Sequence, residues 1–287
     1  MTARLSINLC TRNRAHLLGE TIERTLANIS LPTTTLVVSL DDDDHSGRAI
    51  AMQYFSHIGV SVLPREDSLG EKYNRILRIA PADVYMVMVD YAPVITPKFD
   101  EIVLEAASIY PDGYAVVHGP YANMTFPCIQ AVTDKMADKM GGIYPSYFPY
   151  WFIDHWLDDI AHMVDRKVFA GAVTEFWERR PGTMERREPG FWATFFDSTY
   201  EMRCDIARKI IRADDFDDTP ARKRAMEHNW PLTFQHSQLV NNICRDNDKE
   251  IGDPTRDARY ERIKARAIQL LDNLQKAPAA DADALAA

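Results

Sequence analysis

The chain has 287 residues, 46% of them hydrophobic and 26% charged, with a net charge of −9. This is the composition of a globular chain, long enough for one large α/β domain or two small ones, and not of a disordered one. Its acidic balance excludes general nucleic-acid binding, its apolar runs fall far short of the ~18 residues of a membrane span, and any anionic ligand would need local cations.

The N-terminus enters a strand pattern directly, without the longer apolar stretch of a signal peptide. Leu5–Cys10 (LSINLC) alternates and ends at Thr11-Arg12-Asn13-Arg14. Apolar residues at 17, 18, 22, 26 and 29 predict a helix over Ala15–Ile29. Thr35–Leu40 is a second buried strand, running into four acids, Asp41–Asp44. A helix over Ala49–His57, a strand at Val60–Leu63 and a helix over Leu69–Ile79 follow. Val84–Val89 (VYMVMV) is short, apolar throughout and stops at Asp90, as a strand buried on both faces does. A helix over Phe99–Tyr110 and a strand at Tyr114–His118 complete an alternation that predicts a parallel, doubly wound sheet. In that layout ligands bind at the carboxyl ends of the strands, where Asp41 and Asp90 lie. No GxGxxG follows the first strand and there is no Walker loop, which counts against a dinucleotide or P-loop site.

The second half reads differently. Helices are expected over Ile129–Met140, Trp151–Val164, Thr199–Ile211 and Asp257–Leu274, with a strand at Lys167–Val173. The tail Ala277–Ala287 (APAADADALAA) has the composition of a disordered segment. Cys10, Cys128, Cys204 and Cys244 are scattered with no CxxC pair, which points to a reduced cytoplasmic protein and away from structural zinc.

Four ordered segments resemble family 2 glycosyltransferases, which have the GT-A fold. SINLCTRNRAHLLGETIERTLANI is similar to their opening strand, Thr/Asn loop and amphipathic helix. The second strand, ending in Asp41-Asp42, matches the usual position of an acid. LGEKYNRILRIAPADVYMVMVD resembles a third motif, with Asn74, Ala80, Asp83-Val84-Tyr85 and Asp90 at its marked positions. TPKFD, with Thr96, Pro97, Phe99 and Asp100, resembles the step after the metal-binding acids. The resemblance spans about Ser6 to Ala170 and is thin beyond. It implies an α/β GT-A-like domain with a doubly wound mixed sheet over residues 1–173, a helical C-terminal region over 174–276, and an activity that moves a sugar from a nucleotide-diphosphate donor to a glycan, lipid or small-molecule acceptor, with inversion.

Such a reaction needs a cradle for base and ribose, positive charge facing the diphosphate, and a base for the acceptor hydroxyl. The resemblance puts Thr11, Asn13, Asp41 or Asp42, Lys72, Asn74 and Asp90 at the donor; the acids at 41–44 can equally be a solvated turn that caps a helix. The family's DxD-type cluster holds Mn²⁺ or Mg²⁺, but here Tyr91 and Ala92 follow Asp90, so Asp90 would be the single protein ligand of a weakened site or a ribose contact. Arg179, Arg180, Arg186 and Arg187, around a Pro-Gly turn, offer forks for phosphate, joined by Lys72 or Arg65, or form a self-balanced turn with Glu178, Glu185 and Glu188. Asp154, among Trp151, Phe152, Ile153 and Trp156, is the candidate base, with an expected upward pKa shift from its apolar neighbours; capping of a helix N-terminus is the plainer alternative. Asp158/His162 and His155/Asp159 share helix faces, a spacing open to a metal but more often a surface pairing. The competing readings are a non-catalytic nucleotide- or glycan-binding relative without a metal site, and a nucleotidyltransferase, disfavoured because no Gly-rich, Lys/Arg-bearing loop follows the first strand.

Overall fold

The computed structural model describes residues 3–119, 130–172, 174–175, 188–245 and 258–276. Within them the chain runs β1 (Leu5–Cys10), α1 (Ala15–Asn28), β2 (Thr34–Asp41), α2 (His45–Ala51, continued by a short 3₁₀ turn), β3 (Gly59–Leu63), α3 (Leu69–Asn74), α4 (Ile76–Ile79), β4 (Val84–Val89), α5 (Phe99–Ala107), β5 (Val116–His118), β6 (Gln130–Thr133), α6 (Asp134–Met140), α7 (Ile153–Met163), β7 (Lys167–Phe169), α8 (Pro189–Ser198), α9 (Tyr200–Ile211), α10 (Pro220–Arg245) and α11 (Ala258–Lys276). The strands form one seven-stranded sheet in the order β3-β2-β1-β4-β6-β5-β7. Strands β3, β2, β1 and β4 are parallel, and β6 alone runs against its neighbours.

Alternation along the central strands divides the core between the two faces. Leu5, Ile7 and Leu9 of β1 and Val84, Met86 and Met88 of β4 pack with Leu18 and Ile22 of α1 and Phe99 and Val103 of α5. Tyr85 and Val87 point to the other face, where Trp156 and Ile160 of α7 meet Trp192 and Phe195 of α8 and Ile263 of α11. The C-terminal helices thus share a core with the sheet. No described helix is long and apolar enough to cross a membrane.

Several elements differ from expectation for local reasons. The helix expected over Ile129–Met140 begins only at Asp134. Gln130–Thr133 is instead the antiparallel strand, buried at all four positions between β4 and β5, where sheet pairing overrides helical spacing. Helix α2 starts at His45, four residues early, because Asp44 caps it by accepting from the Gly47 N–H at 2.9 Å. The segment Leu69–Ile79 breaks at Arg75, whose buried guanidinium donates to the carbonyls of Leu40 (2.8 Å) and Pro64 (3.0 Å) and pairs with Glu66. Two helices escaped the pattern: α8 is apolar on nearly every side, and α10 carries Pro231 in its interior.

Asp100, the last residue of the TPKFD step, has a structural role. Its buried carboxylate accepts from the backbone N–H groups of Ser30 and Leu31 and from the hydroxyls of Ser30 and Thr34, tying the start of α5 to the turn between α1 and β2. Burial pushes this carboxyl up, but the Leu31 and Ser30 donors outweigh it and hold it below the ordinary aspartate value.

Candidate functional site

Because β1, β2 and β4 are parallel and in register, Cys10 lying between Ser39 and Val89, their carboxyl ends reach one edge together. A cavity of about 650 Å³ opens there, lined by Thr11, Arg12 and Arg14 after β1, Asp41 at the end of β2 and Asp90 after β4. Its far wall comes from Tyr144, Tyr150 and Trp151, from the start of α7, and from Ile243 of α10 and Tyr260 of α11. Cys10 forms part of the floor; burial pushes its thiol up to about 12, which rules it out as a thiolate nucleophile near neutral pH.

Asp41 is the electrostatic centre of the floor. It is 2% exposed and faces four cations: Lys72 at 2.8 Å, Arg12 at 3.0 Å, Arg65 at 3.7 Å and Arg75 at 3.8 Å. Lys72 also donates to the Thr11 carbonyl at 2.8 Å. The Lys72 backbone is set by Asn8 in the middle of β1, whose amide donates to the carbonyls of Lys72 (3.2 Å) and Tyr73 (2.9 Å) and accepts from Ser39. The four acids after β2 have separate tasks. Asp41 gathers cations, Asp43 takes a fork from Arg12 at 2.5 and 3.0 Å, and Asp44 caps α2 and accepts from the Asn13 N–H at 2.8 Å. Asp42 and Asn13 are exposed and lie outside the cavity lining.

Asp90 is 1% exposed with both carboxylate oxygens engaged. Thr11 donates its hydroxyl to Oδ2 at 2.5 Å and Arg14 its guanidinium to Oδ1 at 2.8 Å, while the Asp90 carbonyl accepts from Thr21 at 2.8 Å. The Arg14 guanidinium also lies over the Tyr91 ring, 5.1 Å from its centre. The carboxylate expected to be the single protein ligand of a weakened metal site is thus engaged by Thr11 and Arg14, and neither Tyr91 nor Ala92 offers a second carboxylate. Among the described residues no group of three or more His, Cys, Asp and Glu could hold a metal ion. A single carboxylate supplies only part of a divalent cation's oxygen shell; phosphate oxygens and water would have to complete it. Helix α7 supplies no metal site either, since Asp158 pairs with Lys167 at 2.6 Å and Asp159 with Arg203 at 2.9 Å.

Asp154 reaches the cavity from the first turn of α7, after Phe152, which sits at φ 70°, an uncommon conformation for a bulky side chain. The expected upward pKa shift is reversed. Burial does push the carboxyl up, but Asp154 accepts from its neighbour His155 through both the backbone N–H (3.0 Å) and Nδ1 (3.1 Å), and together these hold it below the ordinary value. Burial pushes His155 down in turn, and the charges of Asp154, Asp159 and Asp158 more than reverse that, raising it above an ordinary histidine. The His155 ring also stacks on His236 of α10, 5.7 Å away and 7° from parallel.

Asn74, expected at the donor, anchors a loop and lies outside the cavity lining. Its amide accepts from the N–H groups of Ile143 (2.9 Å) and Tyr144 (3.1 Å) and donates to the Tyr144 carbonyl at 2.8 Å, fixing the loop that leads to the aromatic wall. Gly142 allows this approach, because a Cβ there would lie 2.8 Å from the Asn74 amide nitrogen. Asn74→Ala is expected to cost about 1–3 kcal/mol, by removing three part-buried hydrogen bonds to the backbone of residues 143 and 144, and urea titration measures it. His118 is wholly buried, 3.5 Å from Asp158, with its ring pushed down to about 4 by burial, and it does not line the cavity. Arg179, Arg180, Arg186 and Arg187 lie outside the described residues. Sequence reasoning missed Arg12 and Arg14 as site residues, and weighed His155 only for a metal and not as the partner of Asp154. The available signal was TRNRA, two arginines in the loop directly after the first strand.

No family model matches this chain and no curated protein does. Solved structures do. The chain is similar to the mannosyltransferase PcManGT from Pyrobaculum calidifontis, solved with GDP-Man and Mn²⁺, at 11% identity and a TM-score of 0.54, over 94% of this chain and 81% of that one. It is also similar to S. aureus TarS solved with UDP-GlcNAc, at 14% identity and a TM-score of 0.56, over 94% of this chain and 83% of that one. TarS with UDP matches at 14% identity and a TM-score of 0.53, over 82% and 73%. These likenesses establish the fold: the mixed seven-stranded sheet and its helices are those of the GT-A fold.

Proposed function

We propose that this protein is an inverting glycosyltransferase that takes its sugar from a nucleotide-diphosphate donor. The observation that carries the reading is a cavity lined both by cations at the strand ends and by a carboxylate, Asp154. Thr11, Asp41, Lys72 and Asp90 serve the donor in this reading, and the cations of the floor face the diphosphate. Asp154 takes the proton from the acceptor hydroxyl. The freed oxygen attacks the anomeric carbon, the bond from that carbon to the β-phosphate oxygen breaks, and the nucleoside diphosphate leaves with the electron pair. Residues 1–173 hold the donor floor and the base, while helices of residues 174–276 line the acceptor side. The aromatic wall of Tyr144, Tyr150 and Trp151 suits the face of a sugar ring or an apolar part of a glycan, lipid or small-molecule acceptor. Free thiols at Cys10, Cys204 and Cys244 are in keeping with a cytoplasmic setting.

Calorimetric titration of UDP, GDP, UDP-GlcNAc and GDP-Man tests the donor site. Saturable binding of at least one is expected, followed by release of the nucleoside diphosphate when acceptors are supplied. Failure of all four to bind removes the reading. The second reading, a binding protein without catalysis, is favoured by the loss of carboxylates after Asp90; it predicts donor binding with no turnover on any acceptor.

A further inference from the structure

We propose that Arg14 stands where a divalent cation would stand and makes donor binding independent of metal. The inference rests on the nucleotide-sugar reading above and concerns how the diphosphate charge is met. A carboxylate pair with a divalent cation sums to zero charge; so does Asp90 with Arg14, by a single carboxylate and a single fixed cation. The guanidinium is anchored on two sides, by its 2.8 Å bond to Asp90 and by the face of Tyr91 at 5.1 Å. Tyr91 occupies the position after the acid and contributes a π face to the cation, as a carboxylate there would contribute charge to a metal. Ala92 is fully buried in the core beneath, where an acid would have no partner.

The Arg14 backbone is equally fixed. Its carbonyl accepts from the N–H groups of Leu17 (2.9 Å) and Leu18 (3.1 Å) at the start of α1, so the side chain projects from a helix terminus rather than from a free loop. Its Nε–H is buried with no hydrogen-bond partner among the described residues, and the side chain lines the cavity. Arginine carries five N–H donors in a plane, and the bond to Asp90 leaves the rest of the fork for phosphate oxygens. A side-chain cation cannot be removed by a chelator, so the compensation persists without chelatable ions. Arg12 is committed to Asp43 through two nitrogens and Lys72 to Asp41 and the Thr11 carbonyl, whereas the Arg14 Nε–H has no such partner among the described residues.

Titrations of UDP and GDP, and of uridine and guanosine, into the wild-type chain in EDTA and then in Mn²⁺ decide the matter, together with Arg14→Gln and Arg14→Lys. The diphosphates are expected to bind equally in both buffers. Arg14→Gln should weaken diphosphate binding about 10- to 100-fold, the loss of a charge-assisted contact, with nucleoside binding unchanged, and Arg14→Lys should restore part of it. Unchanged nucleoside affinity also certifies that the variant is folded. If Arg14→Gln does not fold, the wild-type comparison of EDTA with Mn²⁺ still gives the answer, supported by the relaxation of Mn²⁺-bound water in the presence of diphosphate. Binding that appears only with Mn²⁺ overturns the role of Arg14 and leaves the donor site standing. No binding of any nucleotide in either buffer overturns both.

Discussion

Asp154→Asn is expected to reduce sugar transfer about 10²- to 10⁴-fold, the usual contribution of a positioned general base, while leaving nucleoside-diphosphate affinity unchanged. The substitution keeps the shape of the side chain and removes only its capacity to take a proton. The pH dependence carries more information than the loss itself. Asp154 is held below the ordinary carboxylate range, so it is ionised throughout neutral pH and the acid limb of the rate should fall below that range. His155 is raised, so its imidazolium persists above the ordinary histidine value and is lost as pH climbs through the raised one. Above that point Asp154 loses its counter-charge and becomes the stronger base, giving a second inflection. In His155→Gln that inflection should disappear, and the acid limb should move to higher pH, because the partner that lowered the carboxyl has gone. Full activity in Asp154→Asn would end its assignment as base. An acid limb unmoved in His155→Gln would show that the pairing does not govern its protonation.

This pairing also marks where sequence reasoning stops. Apolar neighbours at 151–153 and 156 are legible in one dimension, and they predict a raised carboxyl. The sign turns on whether the adjacent imidazole folds back onto the carboxylate, which depends on how α7 packs against Phe196 and His236 of distant helices. The sheet was legible for the opposite reason. Strands such as Val84–Val89 are buried on both faces, so their composition alone reports their environment, and the acid that stops them marks the ligand edge. Strand β6 escaped because Gln130–Thr133 is too short to show a period, and one of its pairing partners, β4, lies far away in the chain. Asn74 sat in a recognisable motif, yet its amide is spent on the 143–144 backbone, a contact that only the tertiary structure reveals.

The four acids after β2 were legible as a group and not as individuals, and a stability measurement separates them. Asp41→Asn is expected to destabilise the protein by about 3–5 kcal/mol, the cost of removing one partner from a buried charged cluster. At roughly 2 °C per kcal/mol for a chain of this length, thermal unfolding resolves the loss easily. The cost falls mainly on Lys72, whose side chain is 9% exposed and would keep only the Thr11 carbonyl. Arg12 retains Asp43 and Arg75 retains Glu66, so neither is abandoned. Removing the stranded charge as well should therefore help: Asp41→Asn with Lys72→Met is expected to be less damaging than the two single losses added together, by about 1–3 kcal/mol. Asp42→Asn, at an exposed position one residue on, should move stability by no more than about 0.5 kcal/mol. Nucleoside affinity measured on the same variants then separates ligand contact from scaffolding. If Asp41 touches base or ribose, the folded fraction of Asp41→Asn binds nucleoside more weakly; if it only gathers cations, affinity holds while stability falls. A stable Asp41→Asn beside an Asp42→Asn that cannot bind nucleoside would move the donor contact one residue along the turn and leave the cation cluster without a function in binding.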